Sequence, residues 1–144
     1  MTELTTAFEH YQATVRRAVA EQDWTLFAGL FTEDANYHEH AYGRFSGRPA
    51  ITDWAVHTMT TFPGNAMVGF PISWSVLDEE RGWIVCEVAN RMEDPGDGSI
   101  HDGVNITILK YAGDGLWASE EDVYNPAHFG TMLKNWEAAK RAAG

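Results

Sequence analysis

Cysteine, basic residues and long apolar runs are all scarce in this chain. A single cysteine among 144 residues excludes an internal disulfide. Cys86 lies inside the apolar run WIVCEV, which reads as a small buried hydrophobe and not as a nucleophile. Ten Lys and Arg against 21 Asp and Glu leave a net charge of −11, which repels phosphate backbones and anionic lipid surfaces. Neither nucleic acid nor a membrane is therefore an expected partner. No segment carries the roughly 20 apolar residues that a bilayer-crossing helix needs, and the N-terminal stretch with Glu3, Glu9, Arg16 and Arg17 has no apolar signal core. The expectation is a soluble, cytoplasmic protein. Internal repeats, low-complexity tracts and linkers are also missing. With 144 residues and 44% apolar content, that argues for one domain, 1–144, with a sizeable core.

What is present is a change of period. Leu4, Phe8, Tyr11, Val15 and Val19 recur at steps of three and four, the stripe of an amphipathic helix. Trp24, Phe27, Leu30 and Phe31 repeat that spacing in a shorter helix with Asp23 as its cap. Residues 35–40 alternate as a strand, 43–47 read as a loop, and Pro49 opens a third helix over about 50–61, which ends before Pro63-Gly64. Beyond Gly64 the period becomes two: Val68, Phe70, Ile72, Trp74 and Val76 alternate with other residues, which predicts a strand with one buried face. Turn-rich DEERG, EDPGDG and AGDG separate three more strands at about 83–92, 100–111 and 116–124, joined as antiparallel hairpins. Asn125-Pro126 opens a last helix that buries Phe129, Met132, Leu133 and Trp136. The predicted fold is α+β, a strongly curved, mostly antiparallel sheet wrapped around helices. Such a bent sheet leaves a hollow suited to a small apolar ligand addressed by a few polar groups.

The run DWTLFAGLFTEDANYHEHAYGRFSGRPAITDW, followed by YAGDGLWASEEDVYNP and a helix with Trp136, resembles the nuclear-transport-factor-2-like superfamily, and within it the SnoaL-like branch. Its relatives are polyketide cyclases, ketosteroid isomerases and limonene-epoxide hydrolases. The resemblance covers nearly the whole chain and implies a cone-shaped barrel with a deep apolar pocket, no cofactor, and a homodimer formed through the outer face of the sheet. It sets Glu39 near the isomerases' catalytic aspartate and Asp122, in SEEDVYNP, on the epoxide hydrolases' water-activating aspartate. The isomerases' oxyanion-hole tyrosine falls near Val15 and their protonated aspartate near Thr107, so neither donor is kept. The hydrolases' partner Arg and Asp fall near Glu87 and Ala89, which leaves that triad broken.

Strand alternation sends Tyr37 and Glu39 to one face and His38 and His40 to the other, and only one pair can face a pocket. An inward Glu39 would be a carboxylate desolvated by apolar walls and a candidate acid or base; Tyr37 beside it could donate to a developing oxyanion. The two histidines could present imidazoles to one metal, but no third ligand stands at a recognisable spacing, His57 and His101 included. No metal is expected on that count, and one imidazole reads as a surface or interface group. His57, three residues after Trp54, could lean over the mouth of the cone. On the third hairpin strand either Glu87 or Asn90 faces the pocket, with the more apolar face favouring Asn90; Asn105 reads as an exposed cross-strand amide. Glu120, Glu121 and Asp122 form a charge run in which Asp122, with Tyr124 on its side, is the inward candidate, while Trp54, Phe62 and Trp74 could wall a ligand.

The expectation is thus an enzyme acting on a hydrophobic ketone, polyketide, terpenoid or epoxide, with Asp122 and Glu39 as catalytic carboxylates and Tyr37, Trp54, His57, Trp74, Asn90 and Tyr124 as ligand contacts. The alternative is a non-catalytic binding protein for a small apolar ligand.

Overall fold

The computed structural model describes residues 1–144. Two helices, α1 (Glu3–Glu21) and α2 (Thr25–Ala28), precede β1 (Phe31–Glu39) and β2 (Gly43–Ser46). Helix α3 (Arg48–Met59) and a 3-10 turn (Gly64–Ala66) lead to β3 (Met67–Gly69), β4 (Ile72–Asp78), β5 (Trp83–Met92), β6 (Asp102–Gly113), β7 (Leu116–Val123) and α4 (Pro126–Ala143). No helix is long and apolar enough to cross a membrane.

The strands form one sheet in the order β2-β1-β7-β6-β5-β3, with β4 also pairing β5; only the β1–β7 pair is parallel. Local chemistry sets the ends of its elements. Asn125 Oδ1 accepts the Ala127 N–H at 3.0 Å ahead of Pro126, so α4 begins at a side-chain cap, whereas the N-cap of α2 is Trp24 and not Asp23, whose Oδ1 accepts the Thr25 N–H at 3.1 Å in a turn just before the helix. Register shifts in β1, β4 and β7 bend the strands, because each extra residue tightens the local twist. The curved sheet closes at one end around Phe8, Tyr11, Phe27, Phe31, Ile51, Ile84, Leu109 and Trp117. At the other end α4 packs Met132 and Trp136 against Ala66 and Met92. Each apolar side chain fully buried in this way stabilises the fold by about 1.5–3 kcal/mol, which holds the sheet against its helices and leaves the middle of the cone open.

Three departures from the sequence pattern have physical causes. Phe31 belongs to β1 and not to the second helix, because Gly29 ends that helix early. Residues 43–46 are not a loop but the strand β2, whose Phe45 pairs with Tyr37. The alternation over 68–76 is interrupted: Pro71 lacks the N–H that would continue the ladder, and a shift between Ile72 and Trp74 turns the strand over. Ile72 therefore faces in, while Trp74 and Val76 stand on the outer face, 44% and 62% exposed.

Candidate functional site

The middle of the cone is a cavity of about 810 Å³, large enough for a drug-sized molecule. Apolar side chains from several elements wall it, among them Val15 and Val19 of α1, Trp24, Trp54 of α3, Ile72 and Val88 of the sheet, and Phe129 of α4. Phe129 approaches so closely because its partner is a glycine: a Cβ at Gly103 would lie 2.4 Å from the ring.

Alternation on β1 resolves the choice of face. Ala35, Tyr37 and Glu39 are buried, at 1%, 3% and 6% exposure, whereas His38 and His40 point to the outer face. On β7, a bulge at Ala118 lets Trp117 and Glu120 both face in, and Asp122 follows two residues on. Registers Tyr37↔Glu120 and Glu39↔Asp122 then set two strands' worth of polar side chains next to one another on the concave face.

These groups form one hydrogen-bonded chain. Tyr11 of α1 donates to Glu120 Oε1 at 2.6 Å, and the Tyr37 hydroxyl lies 2.6 Å from Glu120 Oε2 and against Asp122 Oδ2. Thr107 Oγ1 donates to Asp122 Oδ1 at 2.7 Å, Asn105 Nδ2 donates to Thr107 at 2.8 Å, and Asn90 Nδ2 donates to Asn105 at 2.7 Å. A phenol has one proton, so Tyr37 cannot donate to two carboxylates at once; one of them must be the donor. Burial, and then the neighbouring Asp122 charge, push the Glu120 carboxyl well above its usual range. Burial also raises Asp122, but its polar neighbours Glu120, Tyr37 and Thr107 oppose that shift. The consistent assignment is a neutral Glu120 donating to Tyr37, and an ionised Asp122 that receives Tyr37 and Thr107. Both phenols are held protonated, Tyr11 and Tyr37 being raised first by burial and then by these carboxylates.

Glu39 forms a second polar knot. Tyr124 donates to its Oε2 at 2.6 Å, and the backbone N–H groups of Ala41 and Tyr42 reach its Oε1 at 2.6 and 3.2 Å. Burial, followed by the hydrogen bond to Glu39, raises the Tyr124 hydroxyl, so it too stays a donor. Cys86, beneath the carboxylates, is pushed up to about 12 by burial and by Glu120 and Asp122, which leaves it an inert space-filler.

Of the residues singled out in the sequence, Asp122, Glu39, Tyr37, Trp54, Asn90 and Tyr124 line the cavity, with Trp54 packed on Tyr37 at 4.7 Å between ring centres. Trp74 and His57 do not. Trp74 was turned outward by the β4 shift, and His57 is exposed on the side of α3 away from the cavity. Phe62 is also outside, packed 5.9 Å from Trp136. Glu87 faces outward and accepts the Ser73 hydroxyl at 2.7 Å. Asn105 is not a surface amide but is 7% exposed, a link in the chain to Asp122. Glu120, Tyr11 and Thr107 are members of the site that the sequence reading passed over. The available signal was spacing: Glu120 and Asp122, like Asn105 and Thr107, are two apart on a strand and share a face.

No family model matches the chain, and no curated protein matches it. Solved structures do. A protein with a ketosteroid isomerase-like fold from Catenulispora acidiphila, in complex with trimethylamine, aligns at 21% identity over 87% of each chain with a TM-score of 0.60. The chain has the ketosteroid isomerase and SnoaL-like cone fold. An M. tuberculosis LEH-like epoxide hydrolase aligns at 13% identity over 96% of this chain and 98% of its own, TM-score 0.68. A candidate SnoaL-like polyketide cyclase from Shewanella denitrificans aligns at 14% identity over 88% and 96%, TM-score 0.62. Structures of this fold thus include a candidate polyketide cyclase, a candidate isomerase from Bacillus subtilis and an LEH-like epoxide hydrolase, so the fold does not select one chemistry.

Proposed function

We propose that this SnoaL-like chain is a cofactor-independent enzyme that moves a proton on a small hydrophobic, oxygen-bearing molecule. The observation that supports it is the convergence of hydroxyl donors on one carboxylate, Asp122, inside an apolar cavity. Asp122 is the base. As it takes a proton it ceases to be a strong acceptor, and the Tyr37 O–H becomes free to turn to the substrate oxygen on which charge develops. Neutral Glu120 sits behind Tyr37 as the proton reservoir, and Glu39, held by Tyr124, is the second acid or base at the same wall. Asn90 acts through Asn105 and Thr107 to orient Asp122. A ketone with acidic α-protons fits this set better than an epoxide, because the outward Glu87 gives no partner for a water-activating triad.

Incubating the protein in D2O with a panel of hydrophobic ketones and following α-proton loss by NMR tests the reading. Catalysed exchange of at least one ketone is expected; ligands that bind the cavity and keep every α-proton would contradict it. That second outcome belongs to a carrier, which one observation favours: the cavity's hydroxyls and amides are already paired, with one another or with the carboxylates of Asp122 and Glu39.

A homodimer accompanies this reading. Trp74, Val76, Trp83 and Val104 stand exposed on the outer face of β4, β5 and β6, and a second copy of the chain covering them is the proposed occupant. Light scattering at micromolar concentration should give twice the chain mass, and a monomer mass would refute it.

A further inference from the structure

The same two strands that carry the cavity carboxylates inward carry a second cluster outward, and nothing in the cavity chemistry uses it. His38 and His40 are two apart on β1, so their side chains share the outer face, and Glu121 of β7 is the register partner of His38. Their rings stack, 4.0 Å between centres and 24° between planes. This turns two ring nitrogens toward one oxygen: His40 Nε2 lies 2.6 Å and His38 Nδ1 3.4 Å from Glu121 Oε2. All three ligand atoms fall within 4.8 Å of one another. The third ligand was invisible to sequence spacing because it arrives across the parallel β1–β7 pair, 81 residues further along the chain from His40.

We propose that His38, His40 and Glu121 form a divalent transition-metal site on the outer face of the sheet, of the zinc and cobalt class. A tetrahedral ion with bonds of about 2.0–2.1 Å places its donors about 3.4 Å apart. The His38–Glu121 separation already meets that, the His40–Glu121 contact needs to open by less than about 1 Å, and the two imidazole nitrogens, within 4.8 Å of each other, need to close by up to about 1.4 Å. Motion of that size is available, since the three side chains are 25%, 34% and 38% exposed, and the same exposure leaves the fourth position to water. Two imidazoles with one carboxylate select zinc, cobalt, nickel or copper over magnesium and calcium, which require oxygen ligands. As a plain ion pair the cluster would contribute little, because water and salt screen exposed pairs. The opposing feature is Arg44, register partner of His38 on the other side, whose charge weakens the binding of any cation there.

Calorimetric titration of the chelator-treated full chain with Zn²⁺ at neutral pH should show one ion per chain. Co²⁺ should develop the visible absorption of a low-coordinate nitrogen-ligated ion, and Mg²⁺ should not bind. His38→Ala and His40→Ala should each weaken Zn²⁺ at least about tenfold while the metal-free melting temperature stays put, and Arg44→Ala should tighten it. A titration with no saturable step, or one left unchanged by both histidine substitutions, overturns the site. The readout involves no substrate, so it stands or falls separately from the cavity reaction.

Discussion

Asp122→Asn should lower ketone α-proton exchange by about 10²- to 10⁴-fold, the range that loss of a positioned base removes. The substitution keeps the shape of the side chain and one oxygen, so Thr107 retains its acceptor, and only the basic lone pair and the charge are lost. Tyr37 then faces an amide N–H in place of a carboxylate or must turn away, so the donor chain from Glu120 no longer ends on an anion. Stability should change little or rise, because the charge removed is one that burial already disfavours. Exchange within twofold of the parent protein, measured at matched ligand saturation, would sink the assignment of Asp122 as base. Glu39→Gln discriminates between the two carboxylates: it leaves the chain from Tyr11 to Asp122 intact and breaks only the knot with Tyr124, so its effect should be smaller.

Much of this arrangement was readable from residue spacing. The switch from steps of three and four to steps of two located the helices and strands, and the alternation of Tyr37 and Glu39 against His38 and His40 required only an anchor to say which pair faced in. That anchor is the apolar Ala35 on the Tyr37 face, continuous with the core. What the spacing could not carry was any break in alternation. Trp74 and Val76 look like one buried stripe with Ile72, yet a single shifted residue reverses them, and no local composition other than Pro71 announces it. Glu120 illustrates the opposite failure. A run of three acids suggests a solvated strand end, and hydropathy alone gives no reason to bury one. The reason is tertiary: Tyr11, from a helix more than a hundred residues away, supplies the donor that makes burial of a carboxyl tolerable. For the same reason Tyr11 passed as an ordinary core residue of the α1 stripe.

The protonation state of Glu120 has a consequence for folding that Glu120→Gln should expose. Glu120 is 4% exposed and its carboxyl is raised in the folded protein by burial and by the Asp122 charge. A raised folded value means that folding takes up a proton above the unfolded value near 4.3, so the group's contribution is fully present below about pH 4 and is lost as pH rises toward its folded value. Across that window the parent protein gives up about 1.4 kcal/mol per pH unit on account of this residue. Glutamine reproduces the neutral acid: its oxygen accepts from Tyr11 and its N–H donates to Tyr37, as the protonated carboxyl does. It has no proton to take up, and it gives Asp122 the same uncharged neighbour as the protonated acid does. Urea unfolding of the two proteins at a series of pH values from about 5 to 7 should therefore show the glutamine variant gaining on the parent as pH rises, by up to about 1.4 kcal/mol per unit until the folded acid ionises. A difference that stays constant over that interval would mean that Glu120 is ionised in the folded state, and the direction of the Glu120–Tyr37–Asp122 chain would then have to be reversed.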